Sequence, residues 1–143
     1  MTLADEKSAA RKQAFTARKR AKAEANQAAA LDHLRAALKG REDQPLAGYM
    51  PINTEIDPRP VMSTWTAPVG IPVIDAPGQP LRFALWTPEV GLKEGPFGAA
   101  IPVDLSPMKP RVLIVPLVAF TSEGARLGSV SYTHLTLPTI LLV

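Results

Sequence analysis

The 143-residue chain has no cysteine, which excludes a disulfide framework, a zinc–thiolate centre and a thiol nucleophile. It has two histidines, no apolar run of membrane-spanning length, and an N-terminus without the apolar core of a secretory signal. A cytoplasmic protein is therefore expected. There is no GxGxxG fingerprint, no Gly-Lys-Ser/Thr phosphate loop and no His/carboxylate cluster at metal-ligand spacing. Proline and glycine are absent from residues 4–39.

What is present is unevenly spread. Residues 1–41 carry ten Lys/Arg against four Asp/Glu, a balance of +6, whereas residues 42–143 carry six against nine, a balance of −3. The basic character of the chain belongs to one segment. A cationic segment of this kind suits nucleic acid or the phosphates of a nucleotide, and equally suits a solvated helix face.

That segment is rich in Ala, Lys, Arg and Leu, all strong helix formers. Ala30, Leu31, Leu34, Ala37 and Leu38 form an apolar stripe at helical spacing, and Gly40 supplies a stop. One long helix is expected, or two with a break near Asn26. From Pro45 to Pro116 lie fourteen of the fifteen prolines, so long helices give way to short elements. "LAGYMPI" (46–52) and "GIPVI" (70–74) read as buried strands. "DPRPVMSTWTA" (57–67) reads as a short helix capped by Asp57, with Pro58 in its first turn. "LRFALW" (81–86) alternates as a half-exposed strand should, and "VLIVPLVAF" (112–120) reads as a central strand covered on both faces. The order suggests an α/β layered domain with helices on a mostly parallel sheet.

Ligands in such sheets bind beyond the carboxyl ends of the strands. The loops "NTEIDP", "EGPFGAAIP" and "TSEGARLG" lie there. Glu55, directly after a buried strand, can project into a cleft and accept hydrogen bonds from a ligand's N–H groups, or pair with nearby Arg59 in a turn. Lys7 and Arg11 are four apart on a helix and can clamp a polyphosphate, or form a solvated basic face. Arg126, Leu127 and Gly128 follow a buried strand and a Glu123-Gly124 turn, a position that suits a phosphate. Phe97, between glycines in "GPFG", can stack on a flat heterocycle or fold back on the core. His33 reads as structural. His134 lies near Ser131 and Thr133 without a nucleophile elbow or an orienting acid, so no hydrolase is expected there.

In order and spacing, Lys7-Ser-Ala-Ala-Arg11, "GYMPINTEIDPRP", "EGPFGAAIP" and "VLIVPLVAFTSEGARLG" resemble the 5-formyltetrahydrofolate cyclo-ligase (5,10-methenyltetrahydrofolate synthetase) family, over residues 7–128. The resemblance implies a three-layer, Rossmann-like α/β sheet of the NagB/RpiA/CoA transferase type, with helices on both faces. It also implies closure of 5-formyltetrahydrofolate to the 5,10-methenyl form with ATP and Mg²⁺, by a monomer that binds neither nucleic acid nor membrane. By carry-over, Lys7, Arg11, Arg126, Leu127 and Gly128 would serve ATP, and Met50, Glu55 and Phe97 would serve the folate. Thr121 departs from the pattern, since many relatives have Asp there. A larger departure follows Gly128, where the family continues into a glycine-rich "G-x-G-[FY]-Y-D" loop that is missing here.

In its place, residues 130–139, "VSYTHLTLPT", match the translation of a transposase mosaic-end sequencing adapter: GTC TCT TAT ACA CAT CTG ACG CTG CCG ACG. Ser129 fits a hybrid codon at the junction. Residues 1–128 are therefore expected to be the N-terminal portion of one cyclo-ligase domain and 129–143 a non-native tail. The "VLIVPLVAF" strand would be left with an open edge, and this chain would be inactive. The alternatives are a non-catalytic nucleotide- or RNA-binding module built on the basic helix, and a sugar-phosphate or acyl-transfer relative sharing the fold alone.

Overall fold

The segment free of proline and glycine folds into two helices, α1 (Leu3–Glu24) and α2 (Gln27–Leu38). The computed structural model describes residues 2–24, 27–74, 80–95, 99–127 and 140–142; Asn26, where a break was expected, lies outside them. Thr2 and Asp5 open α1 reciprocally: Asp5 N–H donates to the Thr2 hydroxyl at 3.2 Å, and Thr2 N–H to the Asp5 carboxylate at 3.0 Å. Leu31, Leu34 and Leu38 of α2 are buried, as their spacing requires.

Gly40 ends α2 at φ +89°, the left-handed conformation that favours glycine. No atom lies within 4 Å of where a Cβ would stand. Gly40→Ala therefore adds backbone strain without a clash, and is expected to lower stability by about 1 kcal/mol in urea unfolding.

A third helix, α3 (Arg59–Ser63), is short. Its N-cap is Pro58 rather than the expected Asp57. Asp57 stands one residue earlier, where its carboxylate accepts from Arg59 N–H at 3.0 Å and from the Arg59 guanidinium at 2.7–2.8 Å.

The strands are β1 (Leu46–Ala47), β2 (Val69–Val73), β3 (Arg82–Leu85), β4 (Leu92–Glu94), β5 (Ala100–Pro102), β6 (Pro107–Met108), β7 (Val112–Val115), β8 (Ala119–Phe120), β9 (Arg126–Leu127) and β10 (Ile140–Leu142). Six of them form one sheet in the order β10-β7-β1-β2-β3-β6. The first four strands in that order run parallel, while β3 adds antiparallel to β2 and β6 antiparallel to β3. The expected mixed α/β domain with a mostly parallel sheet is thus the observed one. No helix among the described residues is long and apolar enough to cross a membrane.

Two expectations need correction. "VLIVPLVAF" is not one strand: β7 stops at Val115, because Pro116 has no N–H to donate to a ladder. Its second half joins a separate hairpin, β8–β9, on which Phe120 is 76% exposed. The β7 edge expected to be open is paired by β10, in parallel register from Leu113↔Ile140 to Val115↔Leu142. On one face of the sheet Leu31, Leu34 and Leu38 of α2 and Val61 of α3 cluster with Leu46, Val112 and Ile114. On the other face Ala47, Leu113 and Val115 cluster with Phe83 and Leu117, and no described helix joins them. Burying each such Leu or Val contributes about 1.5–3 kcal/mol, so the α2–α3 layer is what anchors β1 and β7 side by side.

Candidate functional site

The carboxyl ends of β1 and β7 open onto a cavity of about 310 Å³. These strands are neighbours, yet the chain continues from β1 to β2 on one side while β10 adds to β7 on the other. Strand order reverses between them, which is where open α/β sheets form ligand crevices. Tyr49 and residues 54–56 supply one wall, Pro116 and Leu117 the facing wall, and Arg18 and Lys22 of α1 reach in from the side.

Tyr49 shapes the first wall. It is 1% exposed, and its hydroxyl donates to the Ile56 carbonyl at 2.6 Å, tying the end of β1 to the segment beyond the turn. Gln27, at the start of α2, takes Asp57 N–H on its Oε1 at 2.9 Å and so pins the chain just past that point. Between these ties the chain turns tightly. Asn53 adopts φ 55°, and Glu55 N–H donates to the Ile52 carbonyl at 3.1 Å.

Glu55 is 8% exposed and is the one buried charged residue among those described. Its Oε1 accepts from Ile52 N–H at 2.8 Å, so the carboxylate closes its own turn. Burial pushes the carboxyl above its ordinary range, and the Ile52 hydrogen bond and the charges of Arg18 and Lys22 pull it only part of the way back. Pairing with Arg59, the alternative open from sequence, does not occur: Arg59 binds Asp57 and holds that carboxyl below its usual range.

The other site residues expected from sequence are dispersed. Lys7 is exposed and Arg11 half-buried on α1, and neither lines the cavity. Met50 does not line it either. With Tyr49 facing the cavity, Met50 packs into the core with Met62, Val69, Ile71 and Trp86, 9% exposed. Arg126 is exposed and Leu127 half-buried in the β8–β9 hairpin, paired with Phe120 and Ala119. Phe97, Gly128 and His134 lie outside the described residues, and His33 is exposed on α2.

Arg18 and Lys22 were missed, although a signal for them existed. At about 100° per residue, positions 7, 11, 18 and 22 fall within about 60° of one another on a helix. Lys7 and Arg11 thus share the stripe that enters the cavity, with Lys7 about 16 Å from Arg18 along the axis. A stripe of this kind places cations in a line leading out of the pocket.

This backbone arrangement has a counterpart among solved structures. The NMR structure of Aquifex aeolicus 5,10-methenyltetrahydrofolate synthetase matches it with a TM-score of 0.65 and 24% identity, covering 86% of this chain and 66% of that one. The two chains share a fold. This chain spans just under two thirds of the synthetase's length, and at 24% identity the likeness lies in the path of the backbone. No protein-family model and no curated protein matches the chain.

Proposed function

We propose that this chain carries the folate-binding part of a cyclo-ligase that closes 5-formyltetrahydrofolate to the 5,10-methenyl form with ATP. The observation that carries this reading is the buried Glu55 carboxylate in the wall of a mostly apolar crevice between β1 and β7. A flat heterocycle bearing N–H donors suits such a site, since its faces meet apolar walls and its edge meets the carboxylate. At about 310 Å³ the cavity is at the small end of ligand pockets, roughly 300–1,000 Å³. It therefore has room for one ring system and leaves a nucleotide outside.

In that reaction ATP phosphorylates the formyl oxygen, N10 of the folate attacks the activated carbon, and phosphate leaves. Such chemistry relies on positioning and positive charge more than on a protein nucleophile. Lys7 and Arg11, on the stripe leading away from the cavity, would hold the phosphates. Among the described residues no group of three or more His, Asp or Glu side chains is placed to hold a metal ion. They do not form a Mg²⁺ cage, and a cation would have to enter coordinated by the nucleotide itself.

Lys7→Ala with Arg11→Ala is expected to weaken ATP binding by about tenfold or more per charge, since hydrogen bonds between charged groups contribute about 1.5–3 kcal/mol. Titration calorimetry with ATP and with a short RNA separates the two classes of ligand. The exposed cations Lys12, Lys19 and Arg20 on the outer side of α1 favour a second reading, an RNA-binding module. RNA binding that survives the Lys7/Arg11 change, with no ATP binding in either form, would support that module and sink the ligase.

The reading extends to the tail: residues 130–139 are adapter-encoded, and this chain turns over little substrate. A spectrophotometric assay of methenyl product on the 143-residue chain tests this, and normal turnover would overturn it. In the adjoining genome, a glycine-rich "GxGxxYD" in frame after Gly128 is the expected continuation.

A further inference from the structure

The reach of α1 into the Glu55 turn has a consequence for how the site is held. Arg18 Nε donates to the Thr54 hydroxyl at 2.9 Å, and its Nη1 lies 3.4 Å from the Leu117 carbonyl. One guanidinium therefore bridges the loops after β1 and β7, the two walls of the crevice. Lys22 Nζ donates to the Glu55 carbonyl at 3.0 Å and lies 3.4 Å from the Asn53 carbonyl. Both cations spend their donors on backbone and hydroxyl oxygens of the turn and of Leu117, not on a surface carboxylate. An exposed ion pair would contribute little, whereas these contacts hold a particular backbone shape. That shape includes Asn53 at φ 55°, a left-handed turn conformation that asparagine tolerates better than most non-glycine residues.

We propose that Arg18 and Lys22 are positioning residues, which lock the 52–55 turn so that the Glu55 carboxylate faces the cavity. The proposal deepens the cyclo-ligase reading and rests on it for the identity of the ligand. Its geometry concerns the protein alone. The groups around Glu55 leave few other candidates for this role. α2 presents the uncharged Gln27, the wall after β1 presents the hydroxyl of Tyr49, the wall after β7 presents Pro116 and Leu117, and Asp57 is already paired with Arg59. Arg18 and Lys22 also pull the Glu55 carboxyl downward against its burial, as positive neighbours must. Because both residues sit on the stripe that carries Lys7 and Arg11, one helix joins the phosphate-facing cations to the carboxylate.

The test is an NMR titration of the Glu55 side-chain carboxyl in the full 143-residue chain, in the wild type and in Arg18→Met, Lys22→Met and Lys22→Arg. Each Met variant is expected to move the Glu55 midpoint upward and to speed exchange of the Ile52 amide at least tenfold. Lys22→Arg, which keeps charge and reach, should restore the wild-type midpoint. Lys22 is exposed, so Lys22→Met should fold even if Arg18→Met does not, and its melting temperature should stay within a few degrees of the wild type. A folded Lys22→Met in which Glu55 titrates as in the wild type overturns the proposal. So does a variant that loses only thermal stability, which would make these residues structural props. No readout here needs a ligand. A failure of the wild type to bind 5-formyltetrahydrofolate would therefore count against the ligase reading alone.

Discussion

Glu55→Gln is expected to remove ligand capture at the crevice while leaving the protein at least as stable as before. The reason lies in one observed task of the carboxylate and one that the cyclo-ligase reading proposes for it. Closing the turn needs only an acceptor for Ile52 N–H, now 2.8 Å from Oε1, and a glutamine oxygen can serve. Gripping N–H donors of a heterocycle needs the charge. Losing two charge-assisted hydrogen bonds, each about 1.5–3 kcal/mol, corresponds to a drop in affinity on the order of 100-fold or more.

The stability side follows from the direction in which Glu55 titrates. Burial raises its carboxyl above the unfolded value. The folded chain therefore holds a proton through a window of pH in which the unfolded chain has released it. Stability falls as pH rises through that window, from the ordinary carboxylate value up to the raised one, and the charged residue disfavours the fold above it. Glu55→Gln removes that dependence. Urea unfolding at pH 5 and pH 8 should show a smaller difference than in the wild type, with stability at pH 8 unchanged or up by as much as about 1 kcal/mol. Calorimetry with 5-formyltetrahydrofolate reads the other half. Equal affinity in the Gln variant would remove Glu55 from the site.

Tyr49→Ala should be the most damaging single change near the cavity, with an expected loss of about 3–5 kcal/mol, as for other buried aromatics. Tyr49 is 1% exposed within the α2–sheet cluster, beside Leu38, Leu46 and Val61. Its removal leaves a cavity there and strips the Ile56 carbonyl of a 2.6 Å hydrogen bond. Against a typical domain stability of about 5–15 kcal/mol, the variant would be marginal. Tyr49→Phe separates packing from anchoring: it keeps the ring and should cost about 1–2 kcal/mol for the unpaired carbonyl. If the hydroxyl also orients the turn, the Phe variant should bind ligand more weakly than that stability loss explains. Thermal melts of both variants beside ligand titration decide the matter. A Tyr49→Ala protein that melts with the wild type would show that the cluster does not depend on this ring.

Much of the local structure was legible in the sequence for physical reasons that act over a few residues. Alanine, lysine and leucine without proline or glycine specify helix, and Gly40 marks its end because only glycine takes φ +89° freely. Apolar runs beside prolines mark short buried strands. Glu55 was legible as a candidate because it follows such a strand, at the end of a sheet where crevices form. The correction at Pro116 is equally physical. Apolar character alone ran "VLIVPLVAF" together, although the missing N–H of Pro116 divides it. Of the two roles open to Glu55, pairing with Arg59 is the one that falls away, because two residues of separation bring Asp57 and Arg59 into direct reach.

The chain itself determined its helices, its stops, its buried strands and the segregation of positive charge into the first 41 residues. Tertiary structure alone decided that Arg18 meets Thr54 and Leu117, 36 and 99 residues away, and that Lys22 meets Glu55, 33 residues away. Propensity and periodicity are properties of neighbours, whereas those contacts exist only because β1 and β7 pair in parallel and α1 lies across their ends.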